Sequence, residues 1–324
     1  MDGKEKVKNQ KLEVKNIEMK TIKIVLLILY ILFSIKSFAQ SNDDDTKPAN
    51  NKSRKGFHGG IYTGVYFANK STANIYDGYG FDPNGNKNDF TNSFMNQSIN
   101  YYYGGGNGQT DQIAQALGVN ANPKEWSFNP SDMPTKVKYN PAVSVGFNCM
   151  YGITQRDAFI FNANATRLTL TGAFTIELNT TPINPTQPGT SNVQMCSITG
   201  GEQRALFQMG YRKILGNDKV FNFFIEEGIE INMTKAMSNR VIINNLQIDL
   251  NTNYNNPYLY NGFMQKYLSG VGLGAFAGIG LNITANAKCN FQLVYEPSYE
   301  KINIGFDKSL KLQNTVGLRI YYLI

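Results

Sequence analysis

Glu226 and Glu230, two carboxylates four residues apart, are the pair in this 324-residue chain that most resembles an acid/base couple. The alternation around them places both on one face of a strand, where residues four apart lie about 13 Å apart. Glycoside hydrolysis needs its two carboxyl groups within roughly 5 to 10 Å of each other, so the pair reads instead as ion-pair partners for Arg204 or Arg212. His58 is the only histidine. It excludes a multi-histidine zinc site and reads as a solvated residue or one at the end of the sheet assembly. The run Gly104-Gly105-Gly106-Asn107-Gly108 offers backbone amides to a phosphate, but no preceding strand, following helix or correctly spaced lysine completes a P-loop. Asp43-Asp44-Asp45 lacks the spacing and closing glutamate of a calcium loop. Cys149, Cys196 and Cys289 are too scattered for a disulfide framework and form no metal-binding cluster, so free thiols are expected. No catalytic, cofactor-binding or metal site is assigned.

The elements that carry these residues follow a period of two, the signature of strands with two unlike faces. Ile61, Thr63, Val65 and Phe67 oppose Tyr62, Gly64 and Tyr66; Val143, Val145, Phe147 and Cys149 oppose Ser144, Gly146 and Asn148. In a long third segment, 158–178, Leu168, Leu170, Phe174 and Ile176 alternate with Arg167, Thr169, Thr171, Thr175 and Glu177. Five further segments, near 202–213, 219–233, 269–283, 288–298 and 311–324, repeat the contrast, giving eight strands. Long connections alternate with tight ones such as Gly216-Asn217-Asp218 and Thr284-Ala285-Asn286-Ala287. Long connections at one end and short turns at the other are the layout of an outer-membrane barrel with short periplasmic turns and long extracellular loops.

The faces point the same way, because a strand protein crosses lipid only as a closed barrel with an apolar outside. The other face carries Arg167, Arg204, Arg212, Glu226, Glu230, Glu296 and Arg319, expected to form an interior ion-pair network because buried charges are costly unless paired. Eight strands leave a bore just wide enough for packed side chains. Glu227 breaks the pattern: strict alternation sets it among lipid-facing residues, and a β-bulge, an interfacial position or a register slip would relieve it.

Charge and composition agree. Charged residues make up 17% of the chain, below the roughly 25% of soluble domains, as lipid-facing strands require. The formal charge is +7, but residues 1–40 hold eight bases and four acids, leaving 23 and 20 in the remainder. The charge therefore gives little ground for a nucleic-acid-binding surface. Ile24 to Ile35 is a short apolar run behind Lys20 and Lys23, followed by Ser37-Phe38-Ala39, the arrangement of a secretory signal peptide. Segment 1–39 is read as that signal, with Met19 as a second candidate start, and 40–58 as a flexible periplasmic leader. The barrel is expected over 59–324 with a large insertion at 69–140.

On these residues the chain resembles the small eight-stranded outer-membrane β-barrels of Gram-negative bacteria, the OmpX-like and OmpA-barrel-like porin family; its asparagine-rich composition and cut site resemble Bacteroidota proteins. The resemblance covers Gly59 to Ile324 and is carried most specifically by the last strand, 314–324. Family barrels end in an alternating apolar and aromatic strand read by the barrel-insertion machinery, and Ile320, Tyr322 and Ile324 look like that signal. It departs from the family in ending on Ile324 where phenylalanine is commonest. The resemblance implies an all-β, transmembrane, antiparallel up-and-down barrel without enzymatic activity or cofactor.

Specific function is expected in 69–140, where Tyr76, Tyr79, Phe81, Tyr101, Tyr102, Tyr103 and Trp126 combine apolar area with polar handles, as residues at binding surfaces do. The plainer reading, preferred on these residues, is a lid over the barrel mouth with the same aromatics packed on one another, which can coexist with binding; a one- to two-turn helix is expected at Asp111 to Leu117. Three functions follow: a structural or surface-interaction barrel meeting outer-membrane lipid and an extracellular or secretion-system protein; a narrow channel or ligand-gated transport porin; and, third, a soluble secreted β protein. No nucleic-acid partner is expected.

Overall fold

The structure, a computed structural model, describes residues 55–82, 86–179, 192–216, 220–250, 269–285, 289–304 and 309–324. Segment 1–39 lies outside the described residues. Among those described, eleven strands form one sheet: β1 Gly56–Phe67, β2 Trp126–Ser127, β3 Lys138–Tyr139, β4 Ala142–Gly152, β5 Asp157–Leu178, β6 Val193–Leu215, β7 Phe221–Ile243, β8 Leu246–Asp249, β9 Ser269–Thr284, β10 Cys289–Lys301 and β11 Leu310–Leu323. No described helix is long and apolar enough to cross a membrane. The first strand begins at Gly56, so the leader expected over 40–58 gives up its last three residues to the sheet.

All neighbouring strands are antiparallel. The eight long ones pair in the order β5, β4, β1, β11, β10, β9, β7, β6, and β6 pairs back onto β5, so the path returns to its start. Short β2 and β3 add to β5, and β8 adds to β7.

The ring is built by unlike faces. Across its lower part, toward the short connections, Ile61, Phe147, Phe161, Met209, Ile229, Leu273, Leu293 and Ile320 are exposed on the outside, while Asn148, Asn162, Gln208, Glu226, Glu296 and Arg319 are buried inside. Inside, large rings lie over glycines. Gly210, Gly228 and Phe276 occupy one register row across β6, β7 and β9, and a Cβ at either glycine would collide with the Phe276 ring. Tyr62 covers the paired Gly64 and Gly317 in the same way.

Strands β5, β6 and β7 run 22, 23 and 23 residues, about twice what a tilted strand needs to cross a bilayer. Along β5 the face polarity reverses. Phe159 and Phe161 face outward below, whereas above them Leu168, Leu170, Phe174 and Ile176 are buried inward and Arg167, Thr169, Thr171 and Glu177 face out. The expectation that Arg167 shares the interior with the other arginines is therefore corrected. Its side chain lies outside because β5 keeps a regular register against β6 through this stretch; only the surroundings of its two faces change.

Glu227 also faces out, between Ile225 and Ile229. Its pairing with Tyr211 and Ala277 is regular. The bulge in this region lies elsewhere, between Gly201 and Glu202, so neither a bulge nor a slipped register turns the Glu227 carboxylate inward.

Candidate functional site

The long segment between β1 and β4 folds as a cap inside the upper part of the ring. Asn69 starts it: its side chain accepts from the Ser71 amide at 3.0 Å and opens a 3-10 turn, Lys70–Tyr76. A short α-helix at Phe94–Asn96, begun by the Ser93 hydroxyl, runs into a π-helical turn at Gln97–Tyr102. The helix expected near Asp111 to Leu117 is present at Gln112–Leu117. Asp111 is its N-cap, accepting from the Ala114 amide at 2.8 Å, and Gly118 closes it at φ 72°, a left-handed conformation glycine adopts without the Cβ clash.

Asp111 has a second task. Its other carboxylate oxygen accepts from Trp126 Nε1 at 2.9 Å, tying the helix to β2. The indole is fully buried beside Met95, Ile99, Ile113, Phe128 and Met133 of the cap, in one cluster with Phe174 and Ile176 of β5, Ile198 of β6 and Val241 and Ile243 of β7. This contact explains the reversal of β5: the upper inner faces of the long strands are apolar because the cap packs against them. Asp132 fastens the cap to β5 by accepting from the Thr175 hydroxyl at 2.6 Å, and Asn244 donates to the Ala116 carbonyl at 2.8 Å from the β7–β8 turn.

Below the cap the interior is polar and connected. Tyr139 and Tyr76 donate to Glu202 Oε2 at 2.8 and 3.1 Å, and Arg204 Nε donates to Oε1 at 2.5 Å. Arg204 also donates to the Tyr66 hydroxyl at 2.8 Å, and that hydroxyl donates to Glu300 at 2.7 Å. Asn232 reaches the other Glu300 oxygen at 2.9 Å. Deeper, Arg212 and Arg319 both hold Glu226, at 2.7 and 2.8 Å, and Arg319 reaches Glu296 at 2.6 Å. Gln208 donates to Glu296 and Glu230 at 2.5 and 2.7 Å and accepts from Asn162 at 2.9 Å. Arginine planes also lie against aromatic rings, Arg212 at 4.6 Å from the Phe224 centroid and Arg319 at 6.0 Å from that of Tyr62.

Of the seven residues expected in the interior network, the structure brings Arg204, Arg212, Glu226, Glu230, Glu296 and Arg319 inside and leaves Arg167 outside. The expectation that Glu230 pairs with Arg204 or Arg212 is corrected: those arginines hold Glu202 and Glu226, and Glu230 accepts from Gln208 instead. Glu202, Glu300, Tyr66 and Tyr139 join the network beyond those expected. The first two lay within reach of the pattern: Glu202 has the parity of Arg204, and Glu300 that of Glu296, but each stands at or beyond the end of its expected strand. His58 is not solvated: it is fully buried at the start of β1.

The aromatics of 69–140 separate into layers. Tyr76 and Trp126 are fully buried; Tyr79, Phe81, Tyr102 and Tyr103 are half-buried; Tyr101 is exposed. Tyr102 packs edge-on to Tyr101 at 5.3 Å, and desolvation with its neighbour raises its phenol above the ordinary range. Lys124 Nζ sits 3.5 Å from the Trp126 ring centroid, where partial burial lowers its ammonium from the usual lysine value. At the chain's end, Ile320, Tyr322 and Ile324 lie on the outward face, exposed. Among the described residues, no cluster of three or more metal-ligating side chains is present.

No family model matches the chain, and comparison with curated proteins gives no match. Among solved structures the chain is similar to Neisserial surface protein A, with a TM-score of 0.34 and 6% identity over 83% of this chain and 96% of that one. It is similar to Ail, the attachment invasion locus protein of Yersinia pestis, with a TM-score of 0.30 and 8% identity over 83% and 98%. A third is the outer membrane protein OprG from Pseudomonas aeruginosa, with a TM-score of 0.34 and 8% identity over 84% and 98%. TM-scores this low carry no argument about function.

Proposed function

We propose that this chain is a non-enzymatic, eight-stranded outer-membrane β-barrel, closed by its own side chains, whose folded cap presents a surface for an extracellular or secretion-system protein partner. One observation carries the reading: around the lower ring the outward residues are largely apolar and exposed, while the inward ones are polar and buried, with Arg212, Arg319, Glu226 and Glu296 paired among them. A soluble barrel has the opposite polarity, and lipid tolerates strands only where the pairing leaves no open edge. The cap marks the extracellular side, since the long connections lie at its end. The export signal at 1–39, the leader that follows it and recognition of Ile320, Tyr322 and Ile324 by the barrel-insertion machinery belong to the same proposal.

The interior argues against a conduit. Arg204 and Glu202 sit beneath the cap, Arg319, Glu226 and Glu296 lie below them, and Phe276 fills the row of Gly210 and Gly228. The test is expression in a Gram-negative host, followed by fractionation and gel mobility with and without boiling. The account expects the protein in the outer membrane, migrating faster unboiled. Recovery in the periplasm or medium with heat-independent mobility would overturn it.

A further inference from the structure

The outside of the ring carries a cavity of about 830 Å³, within the range of small-ligand sites, roughly 300 to 1,000 Å³. Its floor is one register row across five strands, Val145, Ala165, Ala205, Met233 and Val271. The two alanines at the centre leave a depression between longer side chains. The adjacent row on the cap side is polar, with Arg167 opposite Gln203 and Gln203 opposite Lys235; all three line the same cavity. Arg167 and Lys235 stand two strands apart, about 10 Å between backbones, and both are exposed. Neither side chain has an ion-pair or hydrogen-bond partner among the described residues.

We infer that this trough is a docking site for a lipid of the cap-side leaflet bearing a phosphate headgroup. Its acyl chain lies over Ala165 and Ala205, and its phosphate sits between Arg167 and Lys235. Charge complementarity selects the occupant: two unpartnered cations border an apolar depression at the height where the outer face turns from apolar to polar. A neutral lipid or an apolar protein segment would leave both cations unmatched. The inference rests on the barrel reading, because only a membrane-embedded outer face meets lipid acyl chains.

The full chain, refolded in neutral detergent, would be presented with equimolar dimyristoyl phosphatidate and dimyristoyl phosphatidylcholine, and retained lipid counted by native mass spectrometry. Phosphatidate is expected to be kept preferentially. Arg167→Gln and Lys235→Gln should each reduce its retention roughly fivefold, from the worth of one cation beside a charged headgroup. Ala165→Met with Ala205→Met, which fills the floor, should displace both lipids. All substitutions lie on the outer face, and unboiled gel mobility checks that each variant has folded. Equal retention of the two lipids by a heat-modifiable protein, or unchanged retention in the glutamine variants, would overturn the site. Displacement by inorganic phosphate alone would overturn it in favour of a free-anion site. Failure of the barrel reading itself looks different, with neither lipid retained and no heat-modifiable form.

Discussion

The Tyr139 hydroxyl donates to Glu202 Oε2 at 2.8 Å, joining residues 63 apart in sequence. The same oxygen receives Tyr76, and the carboxylate's other oxygen receives Arg204. One buried carboxylate thus joins cap and wall, which makes the cap part of the ring's polar interior rather than a loop laid across its end. Tyr76→Phe combined with Tyr139→Phe keeps both rings in their apolar cluster and removes only the two hydroxyls. Hydrogen bonds to charged groups contribute about 1.5 to 3 kcal/mol each. External protease should therefore cleave within 69–140 faster in the double variant while unboiled gel mobility persists, and unaltered cleavage would show that Glu202 does not hold the cap.

Asp111 serves both the helix N-terminus and the Trp126 indole. Losing an N-cap acceptor costs about 1 kcal/mol, and an indole N–H left buried without a partner adds a similar or larger amount. Trp126 is the only tryptophan, so its emission reports the cap directly. Asp111→Ala should shift that emission to longer wavelength, and Asp111→Asn, which retains an acceptor, should shift it less. Identical spectra for all three proteins would contradict the arrangement.

Arg319 bridges Glu226 and Glu296. Removing one member of a buried charge set leaves the others uncompensated, at about 3 to 5 kcal/mol. Arg319→Gln should lower the unfolding free energy of the refolded protein, read from its urea transition, accordingly. Arg167→Gln, the same change on the outer face, should change that free energy by less than about 0.5 kcal/mol. Equal effects would return Arg167 to the interior.

Glu125 closes a small turn of the cap, accepting from the Asn120 amide and side chain, each at 2.9 Å. These two bonds hold its carboxyl below the ordinary value of 4.5. Because the folded value is depressed, the clasp is complete above the ordinary glutamate range and is lost as pH falls through the lower folded value. The Asn120 amide resonance should therefore titrate with a midpoint below 4.5, and Glu125→Gln should abolish that titration. A midpoint at or above 4.5 would contradict the clasp.

How much of this was legible depended on what each strand face touches. In β1, β7 and β11 one environment persists along the lower ring, so alternation alone sorts Ile61 from Tyr62, Ile229 from Glu230 and Ile320 from Arg319. β5 changes environment midway. Its apolar residues switch from odd positions, Phe159 and Phe161, to even ones, Leu168 and Leu170, and a parity switch reads equally as a bulge or as an exchange of surroundings. Only the cap cluster around Trp126 distinguishes the two, and that cluster joins residues from 95 to 250 in the chain. The burial of Tyr76 was hidden for the same reason: nothing local announces a partner at Glu202. The six interior charges Arg204, Arg212, Glu226, Glu230, Glu296 and Arg319 were legible because they share parity with their strand's polar face. The outer trough was not, since Ala165 and Ala205 become a depression only once β5 and β6 are in register.

The most direct test of the central claim, a barrel sealed by its own side chains and cap, is conductance of the refolded full chain in a planar lipid bilayer. Insertion without steady openings is expected at any moderate voltage, because the Arg204–Glu202 and Arg319–Glu226–Glu296 layers and Phe276 occupy the bore. Persistent, ohmic single-channel openings that survive with the cap intact would contradict it.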